Sequence, residues 1–146
     1  MRQNVRVWAV ELVQDAMPAE REGRLSTDAD GLRFEPTKAG EAAVSLPFRD
    51  MTKARRLRGS PVLMVVCRRG EREVRTAFYF VQPPPLAAFT DDRTDTRLTL
   101  PVLRNPKRKA RRDNVGYLGV MNREKKAELV AWEREVRAAM TAARGS

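Results

Sequence analysis

Histidine is absent from the 146-residue chain, and cysteine occurs once, at Cys67. The first absence removes the commonest general base, the commonest metal ligand and the side chain that titrates near neutrality. The second excludes an intramolecular disulfide and a cysteine-rich zinc site. Long apolar runs are missing too: the longest, Pro61–Cys67, falls far short of the roughly 20 residues a membrane-crossing helix needs. Arg6, Glu11 and Asp15 interrupt the N-terminal segment where an export signal would be uniformly apolar. The expected compartment is therefore a reducing cytoplasm, with peripheral membrane attachment as an option. Catalytic patterns are equally scarce. The chain has no nucleophile elbow, phosphate loop, dinucleotide fingerprint or metal-ligand spacing. Asp91, Asp92 and Asp95 lie close together but lack the glycine and terminal glutamate of a calcium loop. A non-enzymatic protein with no cofactor and no metal is expected.

What the chain does have is positive charge. Lys and Arg number 29 against 19 Asp and Glu, a formal net charge of +10. Hydrophobic residues make up 42%, enough for one buried core, and the length suits a single domain spanning residues 1–146. The Arg- and Ala-rich, Lys-poor composition points to a GC-rich, bacterial genome. No internal repeat is visible, which argues against a solenoid or propeller.

Along the chain the apolar period is first that of strands. Over Val5–Val13, Val5, Val7 and Ala9 alternate with Trp8, Val10 and Leu12, so this segment reads as a strand covered on both faces, with a short helix as the alternative. Asp15–Glu22, with Pro18, reads as a loop. Gly23–Thr27 and Leu32–Glu35 flank Asp28-Ala29-Asp30-Gly31, a composition that closes a hairpin with Leu32 and Phe34 inward. Pro36–Gly40 is a turn, and Val44, Leu46 and Phe48 alternate around Pro47. Val62–Cys67 reads as a buried strand. Beyond the turn Arg69-Gly70-Glu71, the segment Val74–Val81 puts Val74, Thr76, Phe78 and Phe80 opposite Arg75, Ala77 and Tyr79. Pro83–Pro85 ends this run, Ala88–Arg97 reads as a loop, and Leu98–Val102 as a last edge strand. About seven short strands thus occupy a strand-rich part, residues 1–103, followed by a basic loop over 104–114. Tyr117–Met121 reads as an apolar lead-in that packs against the sheet. A helix over about 122–144 follows, capped by Asn122, with Leu129, Trp132, Val136, Met140 and Ala143 on one stripe and Glu133 paired to Arg137. The expected fold is α+β: a small, strongly bent antiparallel β-barrel capped by one C-terminal helix.

This order of elements resembles the pleckstrin-homology-like (PH-like) superfold, in particular its bacterial and GRAM-type domains. The residues that carry the resemblance are Gly23-Arg24-Leu25 leading to Gly31-Leu32-Arg33-Phe34, then Val44–Met51, the strands Pro61–Cys67 and Arg75–Phe80, and the terminal helix. The likeness covers roughly residues 23–81 and 121–144 and implies a binding module for anionic lipids or peptides. The chain departs from the lipid-binding subset at Asp28 and Asp30, two carboxylates where that subset carries basic residues around a polyphosphate headgroup.

Two basic clusters are the candidate binding residues. Arg104, Lys107, Arg108, Lys109, Arg111 and Arg112 put six cations into nine residues without an acid, a pattern that attracts phosphates in a salt-dependent way or simply keeps a loop solvated. Lys53, Arg55, Arg56 and Arg58 form the second patch, in which Lys53 and Arg55 share one face of a strand and Arg56 and Arg58 the other. The same charges suit an edge strand guarded against pairing. The expected partner is another protein or an anionic phospholipid surface. Sequence-independent nucleic-acid binding and a structural place in a larger complex are the alternatives.

Overall fold

The run Val62–Cys67 is buried along its whole length, and the rest of the sheet is assembled on either side of it. The computed structural model describes residues 4–12, 19–57, 59–83 and 108–145, without the side chains of 108–119. In chain order the elements are β1 (Val5–Leu12), β2 (Glu20–Thr27), β3 (Gly31–Pro36), β4 (Val44–Pro47), a 3-10 turn (Phe48–Asp50), β5 (Met51–Arg56), β6 (Val62–Arg69), β7 (Arg72–Tyr79) and α1 (Arg108–Gly145). The strands form one antiparallel sheet in the order β4-β3-β2-β1-β7-β6-β5. The class is α+β, as the periodicities indicated. No ladder joins β4 to β5, so the sheet is open rather than closed into a barrel.

That strand order carries a geometric consequence. β4 and β5 are the two edges of a seven-stranded sheet, yet only Phe48–Asp50 separates them in the chain. A flat sheet would hold its edges about 29 Å apart at 4.8 Å per strand. The chain from Pro47 to Met51 spans at most about 14 Å. The sheet therefore bends until its edges converge at this end, and the concave face becomes a core.

α1 lies against β5, β6 and the 3-10 turn. Leu129, Trp132, Val136 and Met140 are buried, as their spacing indicated, among Val7, Leu25, Phe34, Met51, Leu63, Val65, Phe78 and Phe80 of the concave face. Trp132 meets the Phe80 ring edge-on at a centroid distance of 6.0 Å. Side chains of the helix also occupy backbone groups of β5. The Arg56 N–H donates to Glu133 Oε2 at 2.5 Å, and Arg144 Nη2 donates to the Met51 carbonyl at 2.9 Å. Glu133 is also within 4.0 Å of Arg137, the expected i,i+4 pair.

The convex face has an apolar cluster of its own: Val10, Leu12, Val62, Met64, Ala77 and Tyr79 are buried, with Trp8 and Leu57 beside them. β1 and β7 thus bury both sets of their alternating residues, and the Phe78-Tyr79-Phe80 triplet divides between the two clusters.

Several boundaries differ from the sequence reading: β6 continues to Arg69, β7 ends at Tyr79 and β3 takes in Pro36. β2 begins at Glu20, inside the expected loop. Glu20 and Glu22 stand opposite Val10 and Trp8 in the ladder, and their charge hides a strand whose opposite face is used by Arg21 and Gly23. β7 begins two residues early, at Arg72. α1 begins at Arg108 and runs for 38 residues, about 57 Å at 1.5 Å per residue. It takes in the second half of the expected basic loop, all of Tyr117–Met121, and Asn122, which is therefore no cap. The helix continues through this segment because Arg, Lys and Ala are strong helix formers with or without an apolar stripe. The readings placed on Asp15–Pro18, Arg58, Pro84–Pro85, Ala88–Arg97 and Leu98–Val102, and on Asp91, Asp92, Asp95, Arg104 and Lys107, lie outside the described residues.

The β2–β3 hairpin is fixed by two local devices. A Cβ at Gly23 would stand 2.6 Å from the Phe34 ring, so glycine is what lets Phe34 lie across β2, with the Arg21 guanidinium 5.6 Å from the ring centroid. In the turn, Asp28 Oδ1 accepts the N–H groups of Asp30 and Gly31 at 2.8 Å each, and these bonds hold its carboxyl below the usual aspartate range. Gly23→Ala is expected to destabilise the protein by about 2 kcal/mol or more, the cost of overpacking a filled core, read as a lowered midpoint in urea. A depressed pKa supplies stability above the unfolded value, near pH 4, which is lost as pH falls through the folded value. The stability advantage of the wild type over Asp28→Asn should accordingly shrink on acidification, measured by urea titrations across a pH series.

Candidate basic groove on the convex face

β5 is an edge strand whose two sides do different work. A register shift between Met51 and Lys53 leaves Met51 and Ala54 buried toward the helix, while Thr52, Lys53 and Arg55 are exposed. Arg56 lies on the helix-covered side, half-buried, and its Nε is a buried donor without a partner. The division of this patch between the strand's two faces is as the alternation indicated for Lys53, Arg55 and Arg56.

The ladder then adds a residue from further along the chain. Lys53 stands opposite Val66, and Val66 opposite Arg75; Arg55 stands opposite Met64, and Met64 opposite Ala77. Thr52, Lys53, Arg55, Met64, Val66, Glu73 and Arg75 line one groove of about 410 Å³. Met64 and Val66 form a nearly dry floor, 5% and 8% exposed. The Thr52 hydroxyl is turned inward and donates to the Val66 carbonyl at 3.3 Å.

Among the described residues Lys53, Arg55 and Arg75 have no ion-pair partner. Other strand arginines are engaged: Arg6 bonds Glu22 at 2.6 Å and lies over the Trp8 ring, and Arg33 bonds Glu35 at 2.8 Å. On the convex face the acids Glu20 and Glu22 of β2 are separated from Lys53 and Arg55 by the strands β1, β7 and β6, and from Arg75 of β7 by β1 alone. The Glu20 carboxyl is held above its usual range by burial and, secondarily, by Glu22.

Of the larger cluster, Arg108, Lys109, Arg111 and Arg112 fall in the first turns of α1. Arg75 is the residue that sequence reasoning missed. Its strand face was legible, but its approach to Lys53 depends on β6 lying between β5 and β7.

Two further reactive groups, the Cys67 thiol and the Tyr79 hydroxyl, are buried. Cys67 is 3% exposed, and burial, opposed by Arg69 and reinforced by Asp50, pushes its thiol up to about 11. The Tyr79 hydroxyl is buried without a partner among the described residues, and burial, then Glu20, raises its pKa. Among the described residues no group of three or more potential ligands could hold a metal ion, and no helix is long and apolar enough to cross a membrane.

Comparison of the chain with family models, curated proteins and solved structures finds no match in any of the three.

The state of Cys67 is directly testable. With about a thousandth of it present as thiolate near pH 8 and the sulfur shielded, a disulfide reagent should label the folded protein far more slowly than the urea-unfolded chain, as followed by absorbance of the released thiol.

Proposed function

We propose that the protein is a non-enzymatic binding module of the PH-like kind. In this reading the bent sheet is an incompletely closed barrel stoppered by α1, and the module engages an anionic partner, a phospholipid surface or an acidic protein, by charge. The observation that supports it best is the groove in which Lys53, Arg55 and Arg75 converge unpaired over an apolar floor. Cations in excess of the nearby carboxylate and beside low-dielectric surface keep more of their attraction for an anion than cations in open water. The basic run Arg104–Arg112 adds diffuse attraction of the same sign. The carboxylates of Asp28 and Asp30 keep that attraction away from the β2–β3 turn.

Co-sedimentation with neutral and anionic vesicles across a salt series, with duplex DNA as competitor, tests the reading. Binding is expected to anionic vesicles alone, weakening with salt and falling by at least tenfold when the six basic residues of Arg104–Arg112 are replaced by Gln, at about 1 kcal/mol per surface charge. Absence of vesicle binding at low salt, together with failure to bind an acidic polypeptide, would overturn it. A steep log–log salt dependence on DNA with no preference for lipid charge would replace it with nucleic-acid binding.

A further inference from the structure

We propose that the groove between β5 and β7 is a seat for one phosphomonoester group. The proposal refines the anionic-partner reading, on which it rests, by naming the group bound and the residues that bind it.

Spacing and charge both point to a single compact dianion. Lys53 and Arg55 are two residues apart on one strand face, about 7 Å, and Lys53 and Arg75 are two strands apart, about 10 Å. Three long side chains rooted at those points converge over Met64 and Val66 and supply an ammonium and two guanidinium forks, the donors suited to phosphate oxygens. The groove also contains Glu73. Three cations against one carboxylate leave a net charge near two, the charge a phosphomonoester carries at neutral pH. A phosphodiester, with one charge and two blocked oxygens, leaves this set undersatisfied. A polyphosphate brings more charge than the groove balances and meets Glu73.

The three cations are already in place and make no ion pair among the described residues, so none of those has to break before the ligand enters. The Thr52 hydroxyl proton is committed to the Val66 carbonyl, which leaves the cationic side chains as the donors.

Titration of the full chain with O-phosphoserine, followed by amide chemical shifts and by calorimetry, tests the proposal. Saturable shifts are expected at residues 52–55, 64–66 and 73–75, with little response to serine or to dimethyl phosphate. Lys53→Gln and Arg75→Gln should each weaken binding by about tenfold or more, the usual cost of losing a charge-assisted bond. Glu73→Gln should strengthen it several-fold. A merely structural role for exposed Lys53 and Glu73 and half-buried Arg75 predicts no such opposite signs, and thermal melts confirm that each variant folds. Phosphoserine binding should survive the Gln replacements across Arg104–Arg112, which separates this site from the diffuse attraction.

Vesicles of phosphatidic acid, a monoester, against phosphatidylglycerol, a diester, identify the source. A preference for phosphatidic acid places the group on a lipid; binding of phosphoserine without that preference places it on a soluble partner. Anionic vesicle binding without saturable phosphoserine binding would overturn the phosphomonoester seat and leave the binding-module reading standing. Loss of both would remove the two together.

Discussion

The whole structure depends on a three-residue connection between the two edges of its sheet. Because Phe48–Asp50 is all that joins β4 to β5, the sheet curls and turns one face into a concavity that the strands alone leave open. An open concavity lined by Phe34, Phe78, Phe80 and Leu63 exposes apolar area at roughly 25 cal/mol per Å², and the stripe through Trp132 covers it. The amphipathic helix is thus the remainder of a core that the sheet began. Its register follows from two bonds at either end of the contact, Glu133 to the Arg56 N–H and Arg144 to the Met51 carbonyl.

The bend also sorts the charges. Curling places β2 and β5 on different flanks of the convex face, with Trp8, Val10, Ala77, Tyr79 and Met64 between them. Glu20 and Glu22 are then too distant to neutralise Lys53 and Arg55, and among the described residues Arg75 makes no ion pair either. A basic groove with an apolar floor is consequently a product of topology: the same residues in a chain that placed β2 beside β5 would form ion pairs and present nothing.

Much of this was legible in the residues. The alternation in β1 correctly indicated burial on both faces, Leu32 and Phe34 were recognisable as core, and the spacing of Leu129, Trp132, Val136 and Met140 identified the buried stripe. Each of these depends on local periodicity. What stayed hidden depends on partners distant in the chain. Glu133 reads as a surface residue paired to Arg137, yet its tighter bond is to a backbone group 77 positions away. Arg75 reads as an exposed strand residue until β6 brings it near Lys53. The start of α1 was obscured for a different reason. Gly116 and Gly119 lower helix propensity by about 1 kcal/mol each, so the segment reads as a linker although its Arg, Lys and Ala residues favour the helix.

The helix that completes the core also follows every described strand in the chain. During synthesis, the residues of β1 through β7 emerge before the first residue of the covering stripe. For that interval the concave face faces water, and the β5 backbone groups later held by Glu133 and Arg144 are free to meet another chain. Domains assembled vectorially are most exposed to misassembly in such a window. The edge cations Lys53 and Arg55 are present from the moment β5 appears, and like charges on an exposed edge oppose its pairing with the same edge of another chain before α1 arrives.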